Sequence, residues 1–398
     1  MLSLSRHISE IAGSPTMKIA QQAKELLSKG ENLIDLSVGE PDFPTPQNIK
    51  DAAIRALEKN FTKYTINTGT IELREAIARK LKNENGIEYK PNEIIVSAGA
   101  KQCVFNAVQA LVYSGDEVII PAPYYVSYPS IVSIAHGKSV FINGAEENNF
   151  KITPKQLIDA ITPKTKLLII CNPSNPTGTA YTKNELEEFA GVLGDGDFYI
   201  LTDEIYEKII YDNFKFVSVA SLSEKIKSKT VVVNGHSKSY SMTGWRIGYA
   251  AGPENIIKEM AKVQSHSTSN ASSISQAAAI EALTGPQDSI EIMRKEFERR
   301  RNFLHSALVS IHGITCSKPQ GAFYVFPNIS SYFKKGKGTY KIENSFDLAM
   351  YLIHEAKVAT VPGSSFGAEG YLRLSYSTSM EKLQEGASRI KDALSKLQ

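Results

Sequence analysis

The chain has 398 residues, 42% hydrophobic and 22% charged, which is the composition of an ordinary soluble globular protein with enough length for two cores. Its 45 lysines and arginines against 42 aspartates and glutamates leave a formal net charge of +3. This balance gives no general reason to expect nucleic acid or an anionic membrane as a partner, although a few well-placed cations could bind small acidic ligands.

The three cysteines, Cys103, Cys171 and Cys316, lie far apart without a CxxC pattern, and the seven histidines are scattered. Such a sparse, odd set argues against a disulfide framework and indicates a reducing compartment. We therefore expect neither disulfides nor a metal site. The N-terminus soon becomes polar and no later apolar run is long enough to span a bilayer, so we expect a cytoplasmic protein without a signal peptide.

The N-terminal part is predicted to hold a helix that begins at Ser14-Pro15, where a capping residue precedes a proline. Apolar residues follow at helical spacing as far as Leu27, and residues 33–36 are predicted to form a short strand. The proline-rich stretch 39–46 then forbids a helix. We take this stretch as the crossing into the main domain.

Residues 48–285 show short apolar runs that alternate with helical stretches. Runs that are apolar at every position suit strands buried on both faces, which predicts a largely parallel sheet in an α/β domain. The last third carries a basic helical segment at 291–301 and a closing helix after Ser379, and is predicted to form a smaller α+β domain. The predicted division is a large domain at 48–285 and a small domain made of 1–47 and 286–398. The apolar runs are 94–96, 118–120, 167–170, 198–201 and 231–233.

Four polar clusters follow these predicted strands, and ligands of open α/β sheets bind beyond the carboxyl ends of the strands. In one of them, Ser237, Arg246 and nearby backbone N–H groups could hold a phosphate, and a nearby cation or desolvation could lower the pKa of Lys238 enough for its amine to react. The lysine-rich stretch 334–338, by contrast, is predicted to be a solvated loop. The clusters span residues 97–102, 172–178, 203–207 and 234–249.

The segment 237–249, SKSYSMTGWRIGY, resembles the pyridoxal-phosphate lysine signature of the class I aminotransferases, in the branch that contains the prokaryotic aspartate aminotransferases. The resemblance extends from about Ser14 to about Ser379. It implies a large domain of the pyridoxal-phosphate transferase type with a mostly parallel sheet, joined to a smaller α+β domain. It also implies the cofactor, pyridoxal 5'-phosphate.

The resemblance assigns the cofactor contacts residue by residue. Lys238 is implied to be the catalytic residue that bonds covalently to the cofactor aldehyde, and Asp203 is implied to keep the pyridine nitrogen protonated so that the ring can accept electrons. Tyr64 is implied to reach the phosphate of a neighbouring subunit, which makes a homodimer with shared active sites obligatory. The other implied cofactor contacts are Ser237 and Arg246 at the phosphate, Asn175 and Tyr206 at the 3-oxygen, Tyr125 on the ring, and the helix start Gly99, Ala100 and Lys101.

On the substrate side, Arg373 resembles the arginine that pairs with the α-carboxylate of the amino acid, a task that suits the two-pronged guanidinium. Gly39 matches a backbone donor to the same carboxylate, and Tyr125 and Asn175 are implied to line the substrate as well. We therefore expect transfer of an amino group from an L-amino acid, best aspartate, to a 2-oxo acid, best 2-oxoglutarate.

The choice of substrate stays open in the sequence. Lys101 matches a lysine that serves acidic substrates in some relatives, but it could equally be a surface lysine of the phosphate loop. Ser14 and Thr16 match a mobile segment that covers the pocket. Ala12 stands where relatives that accept prephenate have a lysine, which disfavours prephenate and leaves aromatic substrates or 2-aminoadipate possible.

Other reactions and other classes of protein were weighed against this interpretation. A C–S β-lyase that uses the same cofactor would share the fold and the cofactor residues. A regulator that only senses the cofactor would need a DNA-binding domain, for which the chain has no spare length. A nicotinamide enzyme is disfavoured because no GxGxxG motif opens a βαβ unit.

Overall fold

The computed structural model describes residues 5–9, 11 and 15–398, so the expectations for Ala12 and Ser14 lie outside the described residues. Within them, no helix is both long and apolar enough to cross a membrane. The α-helices are α1 (Arg6–Ser9), α2 (Pro15–Ser28), α3 (Gln47–Glu58), α4 (Ile71–Asn85), α5 (Ala100–Leu111), α6 (Tyr128–Ile134), α7 (Pro154–Ala160), α8 (Lys183–Asp195), α9 (Glu224–Lys227), α10 (Glu254–Ser265), α11 (Ser273–Thr284), α12 (Asp288–Val309), α13 (Ser345–Tyr351) and α14 (Met380–Leu394).

The strands divide into one large sheet and several small ones. In chain order they are β1 (Ile34–Asp35), β2 (Ile94–Ser97), β3 (Glu117–Ala122), β4 (Lys138–Asn143), β5 (Thr165–Cys171), β6 (Tyr199–Asp203), β7 (Thr230–Gly235), β8 (Gly248–Ala251), β9 (Tyr324–Val325), β10 (Gly336–Lys337), β11 (Tyr340–Lys341), β12 (Val358–Ala359), β13 (Val361–Pro362) and β14 (Leu372–Ser375).

The large sheet has seven strands in the spatial order β2-β8-β7-β6-β5-β3-β4. Strand β8 is antiparallel to β2 and β7, whereas the other neighbouring pairs are parallel. Successive residues of a strand face opposite sides, so Val231 and Val233 belong to the core that includes α5 and α10, while Val232 belongs to the core that includes α3, α4 and α11. The apolar runs follow from this burial on both faces, and the predicted α/β class with a mostly parallel sheet is confirmed.

A second core joins the two ends of the chain. Helices α2, α12 and α14 pack around the antiparallel sheet β13-β14-β9 and the parallel pair β1-β12. This core also takes apolar side chains between Ile205 and Tyr211, just after β6. The domain boundaries near residues 47 and 285 stay a prediction. The stretch 334–338 differs from the predicted loop, because β10 and β11 form an antiparallel hairpin and Gly336 exchanges backbone hydrogen bonds with Gln398.

Candidate active site

A cavity of about 630 Å³ opens beyond the carboxyl ends of β5, β6 and β7. Its walls come from both cores, because α2, β1 and β14 line it together with the loops of the large sheet. The structure thus brings together residues that lie more than 300 positions apart in the sequence. The predicted site residues that line this cavity are Gly39, Ala100, Lys101, Tyr125, Asn175, Asp203, Tyr206, Ser237, Lys238, Arg246 and Arg373.

Lys238 lies three residues after β7 and lines this cavity. Its Nζ donates a hydrogen bond to the carbonyl oxygen of Gly39 at 2.6 Å and lies 5.8 Å from the centroid of the Phe323 ring. Burial lowers the pKa of Lys238 to about 8, and the positive charges of Arg373 and Arg246 act in the same direction. The amine therefore reaches its neutral, nucleophilic form at a lower pH than an ordinary lysine.

Asp203 is the last residue of β6 and is buried, with 7% of its surface exposed. Its Oδ2 accepts a hydrogen bond from the Tyr128 hydroxyl at 2.8 Å, and its Oδ1 accepts one from the Ile205 N–H at 3.4 Å. Burial raises the pKa of this carboxyl. A buried carboxylate is costly without a positive partner, and none pairs with it among the described residues. A ring nitrogen that carries a proton fits this position.

The start of α5 and the side chain of Arg246 form one compact unit. Gly99 precedes α5 with φ of 93°, and a Cβ at this position would lie 2.6 Å from Nη2 of Arg246. A Cβ on Gly248 would collide with the backbone of Gly99 and Ala100. Glycine at both positions therefore allows Arg246 and the helix start to approach each other this closely.

This unit has the donors that a phosphate requires. Arg246 itself has φ of 51°, a left-handed conformation that is unfavourable for a residue with a side chain. Its guanidinium donates to the carbonyl oxygens of Thr243 and Ala98 at 2.9 and 3.3 Å and pairs with no carboxylate in the described part of the chain. The N–H groups of Ala100 and Lys101, at the favourable end of the helix dipole, have no acceptor among the described residues. A phosphate fits here.

Arg373, in β14, is a buried guanidinium without a carboxylate partner among the described residues. Its Nη2 donates to the Ser37 carbonyl oxygen at 2.7 Å and its Nη1 to Oδ1 of Asn175 at 3.0 Å, while Nε has no partner. The guanidinium carbon lies 4.4 Å from the centroid of Tyr324 and 5.0 Å from that of Phe366. A buried unpaired charge is costly, so this site fits the carboxylate of a ligand.

Two tyrosines and a lysine border the space between these groups. The Tyr206 hydroxyl lies 2.9 Å from the Tyr324 hydroxyl, and burial raises the pKa of Tyr206, so this phenol stays protonated. Tyr125 packs edge-on against Tyr128 with ring centroids 5.4 Å apart. Nζ of Lys101 lies 5.4 Å from the centroid of Tyr125, at an exposed position on the rim.

Sequence reasoning missed several residues that complete the site. These are Tyr128, whose hydroxyl donates to Asp203, and Ser37 and Tyr324, which contact Arg373 through a carbonyl oxygen and a ring. Gly39 was predicted, but not the hydrogen bond that its carbonyl oxygen accepts from Lys238. The only signal for Tyr128 was its place three residues after Tyr125. Tyr64 is not part of the cavity and has 92% of its surface exposed.

The fold, the buried lysine, the buried carboxylate in the same cavity and the helix start that fits a phosphate together define a class of protein. The sequence model of the family "Aminotransferase class I and II" matches residues 31–390, and the chain belongs to this family. The chain is 49% identical to the aspartate aminotransferase of Bacillus subtilis (strain 168) over 390 residues, which cover 98% of each protein. It is 48% identical to the "Aspartate/prephenate aminotransferase" of Nitrosomonas europaea, over 99% of this chain and 100% of that protein.

Solved structures of aspartate aminotransferases are also similar to this chain. The aspartate aminotransferase of Rhizobium meliloti superposes with a TM-score of 0.97 at 43% identity and covers all of both chains. That of Thermus thermophilus with maleate gives a TM-score of 0.93 at 41% identity, over 99% of this chain and 100% of that one. The predicted fold class and the predicted placement in the prokaryotic aspartate aminotransferase branch are confirmed.

Proposed function

We propose that the chain uses pyridoxal 5'-phosphate to move the amino group of aspartate to 2-oxoglutarate. The observation that carries this proposal is the meeting of Lys238, Asp203 and Arg373 in one cavity. Asp203 and Arg373 are buried and lack a partner of opposite charge among the described residues. A protonated ring nitrogen would provide that partner for Asp203, and a substrate carboxylate would provide it for Arg373. The names of the relatives support aspartate as the amino donor.

Each residue has a distinct task in this mechanism. When bound, pyridoxal phosphate supplies an aldehyde that bonds to an amine and a ring that accepts electrons. Arg373 binds both oxygens of the substrate α-carboxylate and thereby fixes the direction of the Cα–H bond. Lys238 takes the Cα proton on its neutral Nζ and later returns a proton, first as general base and then as general acid. Asp203 holds a proton on the ring nitrogen.

The remaining residues keep these groups in place. Arg246, Ser237 and the N–H groups at the start of α5 bind the phosphate, and the amide of Asn175 together with the Tyr206 hydroxyl faces the 3-oxygen. In this proposal Lys101 meets the distal carboxylate of aspartate, because it is a cation on the rim of the same cavity.

The domain division is part of the same proposal. Residues 48–285 would form the cofactor-binding domain, and residues 1–47 with 286–398 the smaller one. Support comes from the cavity, because residues of the smaller part, among them Gly39 and Arg373, line it together with residues of the larger part. The cytoplasmic location also stays a prediction, supported by the three free cysteines.

A screen of amino donors with 2-oxoglutarate tests the proposed reaction. We expect the highest kcat/KM with aspartate, together with formation of oxaloacetate and glutamate in equal amounts. Phenylalanine, 2-aminoadipate and, as amino acceptor, prephenate cover the alternative substrates. Release of ammonia from a C–S substrate, without any need for a 2-oxo acid, would instead identify a β-lyase.

The proposed homodimer predicts a specific complementation between two defective variants. Tyr64 belongs to an exposed apolar strip with Phe61 and Ile66, a surface that suits a second copy of the chain. If Tyr64 reaches the phosphate of the cofactor in the partner subunit, Tyr64→Phe removes a charge-assisted hydrogen bond. Its activity should then be about tenfold lower. Mixed with inactive Lys238→Ala, it should regain activity, because each mixed dimer contains one site with both native residues.

The control is a mixture of Lys238→Ala with Asp203→Ala. These two residues line the same cavity of one chain, so no mixed dimer contains a complete site and the mixture should stay inactive. Light scattering should report a dimer for every variant. A monomer, or a failure of the Tyr64→Phe mixture to regain activity, would contradict the shared site.

A further inference from the structure

Tyr324 lies between the two halves of the site, in contact with Arg373 on one side and with Tyr206 on the other. It belongs to β9, which pairs antiparallel with β14 so that Tyr324 stands opposite Ser375. Side chains two residues apart on a strand share a face, so Tyr324 and Arg373 are diagonal neighbours on the face that lines the cavity. The Tyr324 side chain is fully buried.

The ring of Tyr324 supports the guanidinium of Arg373. The guanidinium carbon lies 4.4 Å from the ring centroid, a distance at which an aromatic face attracts a cation. Tyr324 is also held from the other side, since a Cβ on Gly39 would lie only 3.0 Å from its hydroxyl oxygen. The ring therefore has little freedom to move away from Arg373.

The hydroxyl of Tyr324 contacts the other half of the site. It lies 2.9 Å from the hydroxyl of Tyr206, and burial raises the pKa of both phenols, so each keeps its single proton. Only one of the two protons can lie in this hydrogen bond. Either hydroxyl can be the donor, and both side chains line the cavity. In the arrangement proposed below Tyr324 donates, which leaves the Tyr206 proton free to point to the ligand.

We propose that Tyr324 is a positioning residue that links the carboxylate site to the cofactor site, holding Arg373 with its ring and directing the Tyr206 proton with its hydroxyl. The inference rests on the proposed function, because it takes Arg373 and Tyr206 to be ligand contacts. It predicts that the ring and the hydroxyl of one side chain affect two different measurements.

Two substitutions separate these effects in the cofactor-loaded enzyme. Tyr324→Phe keeps the ring but removes the hydroxyl. A weaker Tyr206 hydrogen bond destabilises negative charge on the 3-oxygen, so the pH midpoint of the visible absorbance should rise by roughly half a unit. The dissociation constant of maleate, a dicarboxylate that does not react, should stay within twofold. Tyr324→Leu also removes the ring, and should raise the maleate dissociation constant and the KM for aspartate about tenfold.

Tyr332→Phe is the matched control. Tyr332 lies in the same core, is also buried, and its hydroxyl donates to the His312 carbonyl outside the cavity. Loss of this hydroxyl should therefore change neither the pH midpoint nor the maleate dissociation constant. An unchanged pH midpoint in Tyr324→Phe would overturn the role of the hydroxyl, and unchanged maleate affinity in Tyr324→Leu would overturn that of the ring. If Tyr324→Leu does not fold, the pH midpoint of Tyr324→Phe decides the proposal, because a hydroxyl without effect would break the link between the two halves of the site. A wild type that takes up no cofactor would refute the proposed function instead.

Discussion

Replacement of Lys238 by alanine is expected to lower the rate of transamination at least about 10⁴-fold. In the proposed mechanism the variant loses the amine that bonds to the cofactor and the general base at the substrate Cα, and proton transfer by such a base contributes about 10²- to 10⁴-fold on its own. The fold should persist, because within the described residues Nζ makes a single hydrogen bond, to the Gly39 carbonyl. Oxaloacetate formation from aspartate and thermal unfolding measure the two effects.

A matched lysine serves as control for this variant. Lys155 has 82% of its side chain exposed and pairs with Asp159 on the surface of α7. Lys155→Ala should keep the wild-type rate within twofold, because an exposed ion pair contributes little. A Lys238→Ala enzyme within tenfold of the wild-type rate would exclude this residue as the catalytic amine.

Replacement of Arg373 by lysine is expected to lower kcat/KM for aspartate about 100-fold, mainly through a higher KM. Lysine keeps the charge but not the planar fork, so it cannot bind both carboxylate oxygens at once. It also loses the contact between the guanidinium and the Tyr324 ring. Steady-state kinetics with several amino acids measure the effect, and every amino acid should lose the same factor because all share the α-carboxylate.

Two comparisons make this result specific. Arg299→Lys, at an exposed position of α12 where the arginine pairs with Glu296, should leave the kinetics unchanged. Lys101→Met should lower kcat/KM for acidic substrates only, because in the proposed mechanism it removes the partner of the distal carboxylate and leaves the α-carboxylate site intact. A KM for aspartate that changes less than threefold in Arg373→Lys would place the substrate carboxylate elsewhere.

The central strands could be predicted because burial on both faces leaves a continuous apolar run, as in Val231, Val232 and Val233. The edge strand β4 was missed since its exposed residues break that pattern. Strand β8 was also missed, because its first residues, Gly248 and Tyr249, belong to the lysine signature and were interpreted only as part of it. A single sequence gives no sign that this strand runs antiparallel between β2 and β7.

Some residues of the candidate site could likewise be predicted from the sequence, and others could not. Asp203, at the end of β6, and Lys238, three residues after β7, stand where open α/β sheets bind ligands, so their place in the site could be inferred from the sequence. Their roles were implied by the family resemblance. Tyr324 could not be inferred, since its task depends on the register of β9 against β14, about 50 residues later in the chain. The hydrogen bond from Lys238 to Gly39 joins positions 199 residues apart and has no local signal either.

The most direct test of the account is to find where pyridoxal phosphate attaches. The purified protein is incubated with the cofactor, reduced with borohydride, digested and analysed by mass spectrometry. We expect one modified peptide, carrying one reduced cofactor on Lys238. Absence of any adduct, or an adduct on another lysine such as Lys101 with Lys238 unmodified, would contradict the proposed active site.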